Sequence, residues 1–165
     1  MMKKLIGIII LLAPLVAPVQ AERFPPIKDA EVKSECGDCR MAYFPQMLPR
    51  KSWQRIFSEL GDHFGEDASL DAVTVRSLRS YYLNNASDVS NLRAARKWQQ
   101  GLSAGQAPDR ITTAPRFLRK HDELSSRVWS DPEVNSKANC GACHTNVTET
   151  GDFDDDRMEK NWNGG

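Results

Sequence analysis

The chain has 165 residues, with 22 basic side chains, 22 acidic side chains, four cysteines and three histidines. This length suits one domain of ordinary size. Because the charges balance and no basic run is present, the composition argues against nucleic acid as a partner.

The first 21 residues have the pattern of a secretory signal peptide. Lys3 and Lys4 form a basic start, residues 5–16 are apolar, and residues 19–21 (VQA) form a small-residue cleavage site. The apolar stretch is shorter than the roughly 20 residues that a membrane-spanning helix needs. We therefore predict export, cleavage after Ala21 and one mature domain of residues 22–165, with 20 basic and 22 acidic side chains.

The mature chain is predicted to begin with an extended segment that is followed by helices. Residues 22–35 are polar and contain two consecutive prolines, which favour an extended lead-in. Helical spacing of apolar residues then predicts a first helix from Ser52, a candidate N-cap, to Gly61, a possible stop. Because Gly61 and Gly65 flank it, His63 is predicted to lie in a turn.

Further helices are predicted along the rest of the chain. One helix is predicted from Ser69 to the Asn84-Asn85 pair, and a more polar one within residues 87–104. Pro115, at or near the first position, begins a fourth helix. A last helix is predicted to start at Asp131 and to run into the second cysteine pair.

These patterns predict an all-α fold. No segment alternates apolar and polar residues over four positions, as a half-buried strand would. We expect a bundle of about four to six helices joined by long loops. Residues 150–165 are acidic and are predicted to form a loosely ordered tail.

Cys140, Cys143 and His144 form the pattern C-x-x-C-H. In an exported chain this pattern is the attachment signal for c-type haem. Two thiols three positions apart lie on one side of a helical turn and can add to the two vinyl groups of one porphyrin. The histidine that follows is carried under the macrocycle, where its imidazole can bind the iron. We predict a covalent haem here, at the centre of the helical bundle.

The four cysteines allow other uses. A disulfide framework is the ordinary expectation for an exported chain, but each tight pair would close only a small loop. Zinc could be bound by Cys36, Cys39, Cys140 and Cys143, although the 100 residues between the pairs exceed the spacing of about 15–20 in zinc ribbons. A thioredoxin-like dithiol would need β-α-β alternation, which the sequence lacks.

The iron bound to His144 needs a sixth ligand or an open site. His121 lies on the apolar face of a predicted helix, with Phe117, Leu118 and Leu124. An inward imidazole can be a packed core residue, but here it is well suited to cap a buried haem. The main competitor is a methionine, Met47 or Met158, and a thioether ligand would raise the reduction potential.

The pentapeptide CGDCR at residues 36–40 repeats the pattern without its histidine. Cys36 and Cys39 have the spacing for two thioethers. Arg40 stands where the proximal histidine is required, and its guanidinium stays protonated and has no lone pair to give to iron. His63 is then either a surface turn residue or a ligand for this site.

Several stretches, in this order, resemble the dihaem cytochromes c of bacterial periplasms. The resemblance covers most of the mature chain and is carried by ECGDCRMAYFPQMLPRKSW, LGDHFGEDASLD, YYLNNAS, RITTAPRFLRKHDEL, SKANCGACH and GDF. It implies that both cysteine pairs carry haem c and that each iron is held by two histidines. His144 and His121 would then ligate the second haem, and His63 would be the distal ligand of the first.

Position 40 departs from the family pattern, because Arg40 replaces the proximal ligand of the first haem. Three outcomes follow. The site is empty, with Cys36 and Cys39 oxidised to each other; it holds a haem whose only protein ligand is His63; or the arginine is an isolated single-base change. We expect the empty site.

The resemblance implies a periplasmic electron carrier and not an enzyme. Its redox partners would be a membrane b-type cytochrome as donor and a small periplasmic cytochrome as acceptor. An alternative is a haem protein with an open iron site that binds O₂ or NO or reacts with peroxide. A second alternative is a colourless zinc or dithiol module. The acidic residues 152–156 are a solvated terminus or steer a basic partner.

Overall fold

The computed structural model describes residues 23–37 and 41–153. Within these ranges the chain forms seven α-helices and no β-strand, which confirms the predicted all-α class. The helices are α1 (Ala30–Gly37), α2 (Arg50–Ser58), α3 (Ala72–Asn84), α4 (Arg93–Gln99), α5 (Pro115–Lys120), α6 (Ser126–Trp129) and α7 (Val147–Thr150). Short 3-10 turns lie at Pro45–Met47, Leu60–Asp62, Ile111–Thr113 and Cys140–Ala142. No helix of the described ranges is long and apolar enough to cross a membrane.

Some predictions fall on residues outside the described ranges. These are the signal peptide, the residues Cys39, Arg40 and Met158, and the part of the acidic tail from residue 154 onward.

The helix starts differ from those predicted because other residues cap them. Helix α3 begins after Asp71, whose carboxylate accepts hydrogen bonds from the backbone N–H groups of Val73 and Thr74. It satisfies two amides of the first turn, so Ser69 is not the cap. Helix α2 begins after Pro49, and Ser52 lies inside the helix, fully buried.

The core lies where α2 and α3 pack against each other and against the segment before α2. The ring of Tyr82 lies 4.5 Å from that of Trp53 and 5.5 Å from that of Phe57, centroid to centroid. Phe44, Leu48 and Leu78 are almost completely buried in the same cluster. Burying these large rings and aliphatic groups is the main favourable contribution to folding.

The extended lead-in is shorter than predicted. Only residues 24–29 precede α1 without regular secondary structure, and α1 begins at Ala30. Phe24 and Ile27 are buried, and the Phe24 ring stacks on that of Phe44 with centroids 4.9 Å apart. These two apolar side chains anchor the segment to the core. The average polarity of the segment does not reveal this anchoring.

Two predictions about helices in the second half of the chain are wrong. No helix starts at Asp131; turns lead instead to the 3-10 turn Cys140–Ala142, and Asn135 has a positive φ of 57°, which no helix allows. The face predicted for α5 included Leu118, which is 51% exposed. The helix is only six residues long, so its inward stripe is narrow.

The beginning of the predicted loose tail is fixed to the lead-in. The backbone N–H of Phe24 donates a 2.9 Å hydrogen bond to the carbonyl of Gly151, and Arg23 forms an ion pair with Asp152. Phe153 packs edge-on against Phe24, with ring centroids 5.9 Å apart. The segment up to residue 153 therefore belongs to the folded domain.

Candidate haem site

A cavity of about 280 Å³ opens between α4, α5, α6 and the second cysteine pair. Most of its wall is apolar or aromatic, with the side chains of Phe24, Met47, Trp98, Phe117, Trp129 and Val134. Its chemically active groups are two thiols and two imidazoles, of Cys140, Cys143, His121 and His144. A mostly apolar cavity with a few convergent polar groups is typical of cofactor sites.

The C-x-x-C-H segment is held as one tight turn. The backbone N–H groups of Cys143 and His144 both donate to the carbonyl of Cys140, at 3.2 and 2.8 Å. This turn brings the two thiols and the imidazole to the same cavity. Burial raises the pKa of Cys140 to about 11 and also raises that of Cys143, because an apolar wall disfavours the charged thiolate.

The imidazole rings of His121 and His144 both line the cavity and lie close to each other. Their ring centroids are 6.4 Å apart and their planes are perpendicular. An imidazole nitrogen binds a first-row metal such as zinc at about 2.0–2.1 Å, so two rings on opposite sides of one such ion have centroids roughly 6 Å apart. The observed spacing therefore suits one metal ion bound between the two histidines.

One ring nitrogen of His121, Nδ1, forms a hydrogen bond with the backbone. Its Nδ1 lies 2.8 Å from the carbonyl oxygen of Phe117. Because a carbonyl oxygen only accepts, Nδ1 must carry the proton, and the lone pair of the neutral ring is on Nε2. Metal-binding histidines use this same arrangement, with the outer N–H donated to a carbonyl or carboxylate. Burial, against the effect of this hydrogen bond, lowers the pKa of His121, which keeps the lone pair available.

Aromatic rings fix the orientation of both imidazoles. His121 stacks on Phe117, with centroids 4.2 Å apart and an interplanar angle of 22°. Phe153 meets His144 edge-on at 5.1 Å. Phe153 in turn contacts Phe24 and Phe44, so the lead-in and the end of the domain together support the second histidine.

Met47 lies in the same wall and is 1% exposed. It belongs to the hydrophobic core cluster that surrounds Phe44 and Leu48. Met47 and His121 are the two candidates for the sixth ligand that fall within the described ranges, and both line the cavity. Of these two candidates, His121 has its ring centroid 6.4 Å from that of His144.

Cys36, the described residue of the first cysteine pair, lies elsewhere in the fold. Cys36 is near the end of α1 and packs against the core, where it is hydrogen-bonded to Tyr82. Burial raises its pKa, although the Tyr82 hydrogen bond lowers it. Cys36 does not line the cavity of His144. Its neighbours Cys39 and Arg40 lie outside the described ranges.

His63 lies in a turn, as predicted, directly after the 3-10 turn Leu60–Asp62. It lines a second, small cavity of about 40 Å³, shared with residues that include Arg55, Glu59 and Asp109, and Cys36 is not among them. Burial and the nearby Arg110 guanidinium lower the pKa of His63. The structure therefore does not bring His63 together with Cys36 in one cavity.

The zinc alternative required both cysteine pairs in one place. Within residues 23–37 and 41–153, no cluster of three or more His, Cys, Asp or Glu side chains is arranged to hold a metal ion. A porphyrin supplies four of the ligands to its own iron, so a haem site needs only axial ligands from the protein. The donor set at His121 and His144 fits this requirement.

The sequence did not identify several of the side chains that line the cavity. Trp98 and Trp129 line the cavity, and neither was assigned a role from its spacing. Phe24 and Phe153 were placed in segments expected to be extended or loose. A tryptophan or phenylalanine in an otherwise polar segment is the clue that could have identified them, because large rings are seldom left in solvent.

An all-α domain with a thiol pair and two neighbouring imidazoles in an apolar cavity defines a c-type cytochrome. The sequence profile described as dihaem cytochrome c matches residues 32–153. Among curated proteins, the comparison found no match. Three solved structures resemble the chain in both sequence and fold.

The diheme cytochrome c from Rhodobacter sphaeroides is 40% identical, with 74% of this chain and 95% of that chain covered and a TM-score of 0.66. The structure described as DHC purified from Rhodobacter sphaeroides is 38% identical, with coverages of 75% and 96% and a TM-score of 0.60. The diheme cytochrome type c from Shewanella baltica OS155 is 33% identical, with coverages of 72% and 82% and a TM-score of 0.58. This chain belongs to the dihaem cytochrome c family, which binds haem c and transfers electrons.

Proposed function

We propose that this chain is a periplasmic electron-transfer protein that holds one haem through Cys140 and Cys143, with His144 and His121 as axial ligands. One observation carries the proposal: the centroids of the two imidazoles lie 6.4 Å apart, in the cavity that both thiols line. The pattern C-x-x-C-H supplies the attachment chemistry.

The bound haem supplies a centre that gains and loses one electron. The chain's own groups decide what that centre can do. His144 and His121 would hold the iron from the protein, and with both imidazoles bound, substrates would be kept off the metal and the protein ligands would be the same in both oxidation states. The aromatic wall excludes water and holds both rings, so little rearrangement accompanies electron transfer. These features favour a carrier over an enzyme.

His121 is preferred to Met47 as the sixth ligand for two reasons. Its proton is held on Nδ1 by the Phe117 carbonyl, which aims the Nε2 lone pair away from the helix backbone. Its ring also has the spacing from His144 that a shared metal requires. Met47 is packed in the core cluster, where moving its sulfur would leave a void.

The first cysteine pair carries no haem in this proposal. Arg40 has no lone pair for iron, and attachment normally needs the histidine as well as both thiols. The location of His63 in a separate cavity from Cys36 supports the same conclusion. The chain would then be a dihaem-family protein that functions with a single haem.

The periplasmic location is inferred from the N-terminal pattern of residues 1–21. The partners proposed are redox proteins, namely a membrane b-type cytochrome as donor and a small periplasmic cytochrome as acceptor. Such contacts would be transient and would not involve nucleic acid.

The test is the response of the reduced protein to carbon monoxide, after maturation in a host with c-type haem machinery. Wild type should gain the mass of one haem and should show almost no spectral change, because both axial positions are filled. His121→Ala should open one position and bind carbon monoxide. His63→Ala is the matched control and should behave as wild type.

Other outcomes would overturn parts of this proposal. A protein without a Soret band is not a cytochrome. If His121→Ala stays insensitive to carbon monoxide while Met47→Ala becomes sensitive, the sixth ligand is Met47. A wild-type protein that already binds carbon monoxide is a ligand-binding haem protein rather than a closed carrier.

A further inference from the structure

The charged side chains around the His121–His144 cavity are mostly basic. Arg116, Lys120 and Lys137 line it, and Glu123 is the acidic residue of the same lining. The mature chain as a whole carries two more acidic than basic side chains. A surplus of positive charge around an apolar cavity, in a slightly acidic protein, favours the binding of an anionic group at the cavity.

The three cations approach the cavity from two elements. Arg116 and Lys120 are four residues apart on α5, so they share one helix face, and the helix ends at Lys120, directly before His121. Lys137 lies three residues before Cys140, and its Nζ is 5.7 Å from the ring centroid of Trp129, which also lines the cavity. The histidine side and the cysteine side of the cavity thus each contribute positive charge.

Haem is a flat apolar macrocycle with two carboxylates at one edge. A carboxylate at the rim of an apolar cavity is costly unless a donor or a counter-charge meets it. Hydrogen bonds from Arg or Lys to a carboxylate are about twice as strong as neutral ones. We propose that Arg116, Lys120 and Lys137 bind the haem carboxylates and thereby set the orientation of the haem edge and its reduction potential.

This inference rests on the proposed function, and α5 itself provides the contrast. Arg119 lies on the same helix but does not line the cavity, and its guanidinium donates to the backbone carbonyl of Gln100 at 3.3 Å. One short helix therefore carries basic residues of two kinds. Arg116 and Lys120 line the cavity, where they can meet a carboxylate, whereas Arg119 stabilises a turn through the carbonyl of Gln100.

The experiment compares the holoproteins Lys120→Gln and Lys137→Gln with the control Arg119→Gln. Each variant removes one positive charge, and the two lysines are exposed, so folding should not depend on them. The readouts are the haem carboxylate bending band in resonance Raman spectra and the midpoint potential. Lys120→Arg tests whether a conservative replacement restores both.

We expect Lys120→Gln and Lys137→Gln each to shift the carboxylate band and to lower the midpoint potential. The potential should fall because losing a nearby cation favours the more positive ferric state. Lys120→Arg should restore both readouts, and Arg119→Gln should leave both unchanged. Glu123→Gln should raise the potential without moving the band.

The inference is overturned if the carboxylate band stays unchanged in both lysine variants, even where the potential falls, because that fall would be a general charge effect. It is also overturned if Arg119→Gln shifts the band equally. Failure of the proposed function looks different, since the wild-type protein would then carry no haem and show no Soret band.

Discussion

The phenol of Tyr43 donates a 2.5 Å hydrogen bond to the backbone carbonyl of Ala138, which lies 95 positions further along the chain. Ala138 is two residues before Cys140. The carbonyl of Tyr43 itself accepts a 3.0 Å hydrogen bond from the phenol of Tyr82, on α3. Two tyrosines therefore connect the α2–α3 core to the segment that leads into the C-x-x-C-H turn at residues 140–144.

This connection matters because turns, not a helix, precede Cys140. A segment without a helical hydrogen-bond ladder depends on individual side-chain bonds to fix its position. Cys36 also lies near Tyr82, and besides burial it contributes to raising the pKa of the Tyr82 phenol. Cys36 and the segment before Cys140, far apart in sequence, are thus connected through Tyr82 and Tyr43.

Tyr43→Phe should destabilise the holoprotein by about 1 kcal/mol, the typical net value of a single hydrogen bond. It should also broaden the haem spectral bands, because the turn at Cys140 loses a support. Urea unfolding and the width of the Soret band measure the two effects. Tyr81→Phe is the matched control, since the hydroxyl of Tyr81 forms no hydrogen bond with the described residues. Equal losses in both variants would contradict a specific role for the Tyr43 bond.

Gly151→Ala should cost about 2–4 kcal/mol, because two penalties add. Gly151 has a φ of +66°, which side chains disfavour, and a Cβ at this position would overlap the carbonyl oxygen of Phe24. The contact that fixes the lead-in to the end of the domain would have to open. Denaturant unfolding measures the loss.

Gly105→Ala separates these two penalties. Gly105 has a similar φ of +74°, but no described atom lies within 4 Å of the Cβ that alanine would add. Its substitution should cost only about 1–2 kcal/mol, the backbone penalty alone. If the two variants lose equal stability, the close approach of Gly151 to Phe24 contributes nothing.

Arg40→His should add a second haem. The change completes C-x-x-C-H at residues 36–40 and supplies the imidazole that the arginine cannot replace. Intact mass after maturation should then rise from one haem to two. The reciprocal change, His144→Arg, should abolish attachment at Cys140 and Cys143. A wild-type protein that already carries two haems would show that Arg40 does not prevent attachment.

Stability should fall as the pH is lowered from about 7.5 to 5, partly through His63. Burial and Arg110 hold its pKa below the ordinary value of 6.5 in the folded protein. The unfolded chain therefore binds a proton first as the pH falls, which favours unfolding. His63→Gln should flatten this part of the profile, measured by urea unfolding of the holoprotein. An unchanged slope in His63→Gln would assign the pH dependence to other groups.

The sequence by itself was enough for the all-α class, for α3 within a few residues, for the start of α5 at Pro115, and for recognising the C-x-x-C-H pattern at residues 140–144. Periodic apolar residues over 13 positions give α3 a strong pattern, and a five-residue motif with a fixed chemical purpose needs no fold to be recognised. The helices of four residues, α6 and α7, were not predicted because one turn is too short to show a period.

Only the tertiary structure decided which residues surround the site. His121 was a candidate among several, and its position close to His144 depends on how α5 packs against the attachment turn, which no local pattern encodes. Phe24 and Phe153 belong to the wall because the Phe24 amide bonds to the Gly151 carbonyl across the whole domain. Local preference acts over a few residues, whereas a cofactor cavity is made by long-range packing, and long-range packing is determined by the whole chain at once.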